Sequence, residues 1–420
     1  MGFLADRFAE LRFDPGRWLT EDDDYNGPIS TAGVRVNRNS ALALSTVWRC
    51  IDLLSSAVSQ APKDAILKVG SRSFPEFGKP AWMSQPEPGN PAMTLNEHVA
   101  QVAVSLLLDG NFFTYVFPHV LDPQLVISLD PRRIVVRRNG VAAPEYDILD
   151  RFGDVSNTVG PMEMLHGTWL RPPGELRGLA PLEVLRQSFG GAIASQDFSN
   201  RFFGQGASLA FGVEVPGSLD KTQKDQLAES LRKKHAGLQN SHAIGVLTGG
   251  AKFVSGLAPT PEQAQMLATR EFQREDLASI YGVPPHYVNA QKAGASSRAS
   301  AEVYGADLKA MAILPLAERI EPHYSRLLSV PDSVTAPNAS MQFKFNLDHF
   351  ARVDTYARAQ ALEVYVRSGQ LTPNEARGLE DNPPLPGGER LYMQAQMTPI
   401  EMLGMGMTAA GSPVRSTVED

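Results

Sequence analysis

Two long helical patterns, residues 181–205 and 261–281, stand on either side of a segment patterned as a small α/β unit, and this bracketing constrains the chain more than any other feature. The first opens with Pro181, whose missing N–H costs nothing at a first helical position. It carries Leu182, Leu185, Phe189, Ile193, Phe202 and Phe203, with Gly190-Gly191 weakening its middle. The second runs from Pro261 to Tyr281, a length of about 30 Å at ~1.5 Å per residue. Between them the pattern predicts a strand over 210–215 and a helix capped by Asp220, with Gln223 three residues on, ending near Gly237. A hairpin of 244–247 with 252–255 across Gly249-Gly250 completes the unit. A chain that leaves in one helix and returns in another predicts a stalk with a folded tip.

The residues before and after this excursion read as α+β. Leu44, Val47, Trp48, Ile51, Leu54 and Val58 fall at helical spacing, stopped by Pro62, and predict a core-facing helix. A second helix opens at Thr94, spaced from Glu97 as a capping box, with Val99, Val102, Ala103, Leu106 and Leu107 inward and Gly110 at its end. Residues 112–117 read as a buried strand, and 134–138 run into Asn139-Gly140, a hairpin signal. After Tyr281-Gly-Val-Pro-Pro285 comes a short loop, then a helix from Ala299 to Leu328 in which Pro315 predicts a kink over 311–315. Phe343 and Phe345 alternate with polar residues as a strand. Residues 350–380 give two helices, the second opened by Thr372, Pro373 and Glu375. Residues 1–40, with the acidic run Glu21 to Asp24, and the tail beyond Gly388 lack such periodicity; Phe3, Leu4, Phe8 and Leu11 nonetheless share one helical face.

Composition removes several classes of function. One cysteine, Cys50, excludes a disulfide framework or a cysteine-based metal site within one chain. The apolar run 99–108 is far short of the ~20 residues that span a bilayer, which predicts no membrane partner. The start lacks a secretory pattern, so cytoplasmic synthesis is expected. Gly78-Lys79 is followed by Pro80, not Ser or Thr, and has no earlier glycine, so no phosphate-binding loop is present. The eight histidines are scattered, His98 and His166 included, and read as surface or hydrogen-bonded side chains. No catalytic residue, metal site or cofactor is assigned.

Charge is informative locally. The net charge of −7 argues against gripping nucleic acid over the whole surface, because duplex DNA carries one charge per ~1.7 Å of axis. Yet from Val283 to Arg298 there is no acidic residue, while Lys292 and Arg298 are basic. Two readings stand: a solvated loop with two incidental charges, or a loop that touches phosphates when repeated around an axis. The cluster Arg232, Lys233, Lys234 likewise reads as a docking patch or as a helix end complementing its dipole.

Leu107-Leu-Asp-Gly-Asn111, Arg177-Gly-Leu-Ala-Pro181, Tyr281-Gly-Val-Pro284 and Leu371-Thr-Pro-Asn-Glu375 follow one another in the order used by bacteriophage portal proteins of the HK97 type. With Leu165-His166, Asn200-Arg-Phe-Phe203, Gln263-Ala-Gln265 and Leu314-Pro315, the resemblance runs from Leu42 to Gly388. It departs after Tyr287, where Val288-Asn-Ala-Gln-Lys-Ala-Gly294 stands in place of a common Leu-Gly, and at Arg177-Gly-Leu-Ala180, where Gly-x-Ser is commoner.

The resemblance implies a portal fold with wing, α-helical stem, small α/β clip and helical crown. Its segments would be an N-terminal arm (1–40), wing (41–180), stem helices (181–205 and 261–282), clip (206–260), tunnel loop (283–298), kinked tunnel helix and return strand (299–349), crown (350–385) and flexible tail (386–420). It also implies a dodecameric ring at the portal vertex of the virion, carrying double-stranded DNA without sequence specificity and meeting the terminase large subunit, the head-tail connector and the major capsid protein. On this resemblance Asn289, Gln291, Lys292, Gly294, Ser296 and Arg298 face DNA, and Arg232, Lys233 and Lys234 form the terminase-docking patch of the clip. Two other classes are weighed against it: a nucleic-acid-processing enzyme with an unrecognised site, and a sequence-specific DNA binder, which the acidic balance and the lack of a basic recognition helix disfavour.

Overall fold

The computed structural model describes residues 28–70, 72–75, 79–150, 152–204, 211–214, 220, 252–255, 262–288, 304–330, 339–347, 355–380 and 382–392. These fall into two units, one ending at Asn346 and one starting at Leu347. In chain order the first holds α1 (Arg38–Leu42), α2 (Ser45–Gln60), β1 (Lys63–Val69), β2 (Arg72–Pro75), α3 (Ala81–Ser84), α4 (Leu95–Asp109), β3 (Asn111–His119) and β4 (Asp122–Leu129). There follow β5 (Ile134–Arg137), β6 (Glu145–Leu149), β7 (Val155–Val159), β8 (Met164–Thr168), α5 (Pro181–Val184), α6 (Arg186–Gly204), β9 (Phe211–Glu214), β10 (Lys252–Ser255) and α7 (Glu262–Ile280). After helical residues 304–308 and a π-helical turn, Lys309–Ile313, come α8 (Leu314–Ser325) and β11 (Ala339–Phe345).

All strand pairs are antiparallel, in the orders β4-β3-β8, β5-β6-β7, β11-β1-β2 and β10-β9. Strand β3 is buried on both faces along Asn111–Val116. One face, Phe113 and Tyr115, joins Leu129, Ile134, Tyr146, Ile148, Val159 and Met164 in a core between two sheets. The other carries Phe112 and Thr114, as the period of two along a strand demands, and meets α8.

That second face is organised by Tyr324. Its hydroxyl lies 2.7 Å from His98 Nε2 on α4 and 3.2 Å from Thr114 Oγ1 on β3. Around the ring stand Trp82, Phe112 and Phe343, with centroids 6.1, 6.3 and 5.5 Å away, within the range of favourable aromatic pairs. Helix α8 also protects the edge of the β11-β1-β2 sheet. Ser325 Oγ accepts from the Phe343 N–H at 2.9 Å and Glu321 Oε1 from the Phe345 N–H at 3.0 Å, so β11 does not leave those donors bare.

The out-and-back excursion is present in outline. Helices α6 and α7 pack together, Gln273 Nε2 donating to the Gly191 carbonyl at 3.3 Å, and β9 and β10 pair beyond them. The expected first helix is broken at Leu185, where the backbone leaves the helical region. Strand β10 pairs with β9; residues 244–247, its expected hairpin partner, lie outside the described residues, as does the helix expected after Asp220. Asn139-Gly140 does not make a two-residue hairpin: β5 and β6 are joined by residues 138–144, with Gly140 at φ 61° inside the longer loop.

In the second unit α9 (Thr355–Arg367) precedes α10 (Pro373–Gly378). Thr372 and Glu375 form the expected reciprocal capping box, and Asn374 binds the Leu385 backbone in both directions, at 2.9 and 2.8 Å.

Burial makes His98 fully inaccessible and lowers its pKa to about 4; half-buried His323 falls to about 4 and His166 to about 3, again chiefly by burial. These groups bind protons more weakly folded than unfolded, so the stability they contribute is complete above an unfolded value near 6.5 and is lost as pH falls toward their folded values. At ~1.4 kcal/mol per pH unit, His98 alone is expected to cost about 2 kcal/mol between pH 6.5 and 5. Urea midpoints measured across that interval should fall, and His98→Gln should flatten the slope.

Candidate channel-loop site

The six residues expected to face DNA, Asn289, Gln291, Lys292, Gly294, Ser296 and Arg298, lie outside the described residues, and so do Arg232, Lys233 and Lys234. The structure does place both ends of the loop, and they are built to hold a fixed base.

Helix α7 stops because Gly282 adopts φ 66°, a left-handed conformation cheap only for glycine. The Gly282 N–H donates to the Ser279 carbonyl at 3.1 Å and the Val283 N–H to Ala278 at 3.0 Å, a Schellman cap that satisfies two free helical carbonyls. Val283 follows into the core at 2% exposure. Pro284 and Pro285 cannot continue the helix; they lead into a 3₁₀ turn, Pro285–Val288.

On the far side of the loop the chain returns at Tyr304. The His286 ring lies 4.0 Å from that of Tyr287 and 4.2 Å from that of Tyr304, so the chain leaves and re-enters at one point. The kink expected over 311–315 takes the form of a π-helical turn, in which the Leu314 N–H reaches back to Lys309. Pro315, with no N–H, leaves the ladder just there, and a π turn absorbs the displaced carbonyls without opening the helix. This turn lies over Gly282: a Cβ there would meet the Met311 carbonyl at 3.4 Å and the Ala312 Cβ at 3.6 Å. Helix α2 packs against α7, the 3₁₀ turn and the π turn together.

Cys50 and Tyr281 are buried in this frame. Burial pushes the Cys50 thiol up to about 12 and raises Tyr281 as well, so neither ionises near neutrality. Among the described residues no group of three His, Cys, Asp or Glu side chains is placed to hold a metal ion, and no helix is long and apolar enough to cross a membrane.

A second constellation fixes where the stalk starts. Gly110, φ 63°, ends α4 and accepts from the Trp169 N–H at 2.9 Å. Asn111 Oδ1 accepts from the Gly178 N–H at 2.7 Å and from His166 Nε2 at 3.2 Å, while its Nδ2 donates to the carbonyls of Gly178 and Asp109 at 2.9 and 2.8 Å. That set places the proton of neutral His166 on Nε2. Arg177 donates to Ile134 O and Pro131 O at 2.5 and 3.0 Å, with its guanidinium 5.3 Å from the Phe113 ring centre. Burial, then the nearby Arg177, His323 and Arg171, lower the His166 pKa. Helix α5 begins three residues past Gly178, so the clamp sets its exit. Sequence patterns named these residues but not their convergence; Asn111 and Gly178 are 67 apart in the chain.

Comparison with known proteins follows the same chain order. A family model for the phage portal protein matches residues 45–381. The chain is 32% identical over 377 residues to the probable portal protein of Streptomyces phage phiC31, covering 87% of this chain and 80% of that one. It is 29% identical over 405 residues to the portal protein of Enterobacteria phage HK97, covering 93% and 92%. The crystal structure of an HK97 family phage portal protein from Corynebacterium diphtheriae aligns at TM-score 0.54 and 16% identity, covering 76% of this chain and 99% of that one. The neck of a native GTA (gene transfer agent) particle computed with C12 symmetry aligns at TM-score 0.55 and 19% identity, covering 82% and 92%. At such identities the structural likeness is one of fold.

The clamp depends on close backbone approach. A Cβ on Gly110 would overlap the Leu179 carbonyl, and one on Gly178 would lie 2.5 Å from the Gly110 carbonyl. Gly110→Ala is expected to cost roughly 2–5 kcal/mol, the left-handed penalty plus overpacking. Gly140→Ala, at a similar φ of 61° with nothing within 4 Å, should cost only about 1–2 kcal/mol. Equal losses in urea unfolding would remove the close approach as a source of stability.

Proposed function

The chain belongs to the phage portal protein family, and on that premise we propose that copies of it close into a dodecameric ring at one capsid vertex, through which double-stranded DNA enters and later leaves. The observation that carries this reading is the family match across residues 45–381. The C12 symmetry of the GTA neck that shares its fold is consistent with twelve copies.

Within such a ring we assign the wing to residues 41–180, the stem helices to 181–205 and 261–282, the clip to 206–260, the tunnel loop to 283–298, the kinked helix with its return strand to 299–349, and the crown to 350–385. The clip, through Arg232, Lys233 and Lys234, docks the terminase motor, the head-tail connector follows, and the major capsid protein is a further partner. The reading is mechanical and not enzymatic. It is supported by the family match.

Lys292 and Arg298 are the loop's basic side chains. Repeated by symmetry, they touch phosphates without reading bases, and a few such contacts per turn permit sliding where many would hold the duplex fast.

Electron microscopy of the purified full chain is expected to show rings with a central opening. A well-folded monomer under assembly conditions would sink the proposal. The double variant K292A/R298A should keep its rings and change packaging efficiency or genome retention; packaging and retention equal to the parent would show that these side chains do not contact DNA.

A further inference from the structure

The apolar stripe of α2 is one residue wider than the core that receives it. Val47, Cys50, Ile51, Leu54 and Val58 are 5% exposed or less, but Trp48 keeps 59% of its surface open. The indole forms one wall of a cleft of about 370 Å³ between α2 and α4, where Leu42, Ile51, Ala100 and Val104 supply further apolar lining. Asp52 and Glu97 also line it, and Arg38 and Asp130, paired at 2.9 Å, stand at the same cleft. An indole exposed beside aliphatic side chains is what a docking surface presents.

The occupant is indicated by chain path and pattern. The described chain starts at Pro28 and supplies Arg38 and Leu42 to the cleft wall soon afterwards, so the preceding residues join the fold next to this surface. Residues 12–27 can extend at ~3.3 Å each, a reach of about 50 Å that brings residues 3–11 to the cleft of the same copy or of an adjacent one. Phe3, Leu4, Phe8 and Leu11 fall at the spacing of one helical face and match the apolar lining of the cleft, while the charges of Asp6, Arg7, Glu10 and Arg12 cancel.

We propose that residues 3–11 seat in the Trp48 cleft, placing Phe8 against the indole. This docking does not rest on the ring, since a free subunit has the same cleft and the same segment.

The test uses the full chain carrying Ala100→Cys, whose site is half-buried on the cleft lining. Alkylation by iodoacetamide is followed by mass spectrometry, which separates the new thiol from buried Cys50. The thiol is expected to react about ten-fold more slowly in this chain than in one that also carries F3S, F8S and L11S, because the seated segment must first leave. Equal rates overturn the proposal in either form: both fast means that the cleft stands open, and both slow means that another surface covers it.

Discussion

The hydroxyl of Tyr324 holds together parts of the chain that sequence keeps far apart. It meets His98 and Thr114 across separations of 226 and 210 residues. Everything between, the clamp, the α6–α7 excursion and the loop, is thereby an insertion into a closed body rather than an extension from its end. Removing the bond would leave a buried imidazole nitrogen and a buried threonine hydroxyl to be satisfied some other way, and such orphaned groups cost about 1–3 kcal/mol each. Because β11 takes its outer donors' partners from α8, the same helix that carries Tyr324, loosening that ring also bares a sheet edge.

From this fixed body two segments leave through glycine. Gly110 and Gly178 let two backbones approach so closely that a methyl group at either would collide with a carbonyl, and the gap is bridged by Asn111 using both ends of its amide. Gly282 turns the end of α7 beneath the π turn. At the clamp a side chain is excluded because backbone fills its volume, and at Gly282 because φ is 66°; nearby aromatic rings supply rigidity in both places, His166 lying 4.2 Å from Phe113 and His286 4.2 Å from Tyr304. The roots of the loop are thereby held in place.

Local pattern made much of this legible. The helices Ser45–Gln60 and Leu95–Asp109, the cap at Thr94, the stop at Gly110, Pro181 at a helix start and the Thr372–Glu375 box each follow from neighbours within one or two turns. What local pattern cannot carry is pairing at a distance. Phe343 and Phe345 read as a strand, but nothing in them says that their partners are Ala65 and Lys63. Trp48 sits on the same helical stripe as Val47 and Ile51, yet the core ends before reaching it, because stripe width is set by the neighbour and not by the helix. The motifs shared with portal proteins were readable one by one; that three of them, at 110–111, 165–166 and 177–178, form one clamp is a fact of tertiary structure.

The acidity of the chain bears on what a clamp and loop of this kind can do for a polyanion. Counterion release makes affinity grow with each phosphate neutralised, so a channel wall rich in lysine and arginine would bind duplex DNA ever more tightly as it entered. A subunit of net charge −7 with two basic side chains in its loop sets the opposite balance. In the proposed ring, repulsion from the body would keep the duplex off the wall, while a sparse set of cations on loops rooted at fixed points would supply contacts weak enough to exchange. On that reading rigidity and charge serve one purpose. The frame around Gly282 would fix where the loop that carries the few attractive charges is rooted, because attraction that wandered along the wall would become the trap that the acidic body avoids.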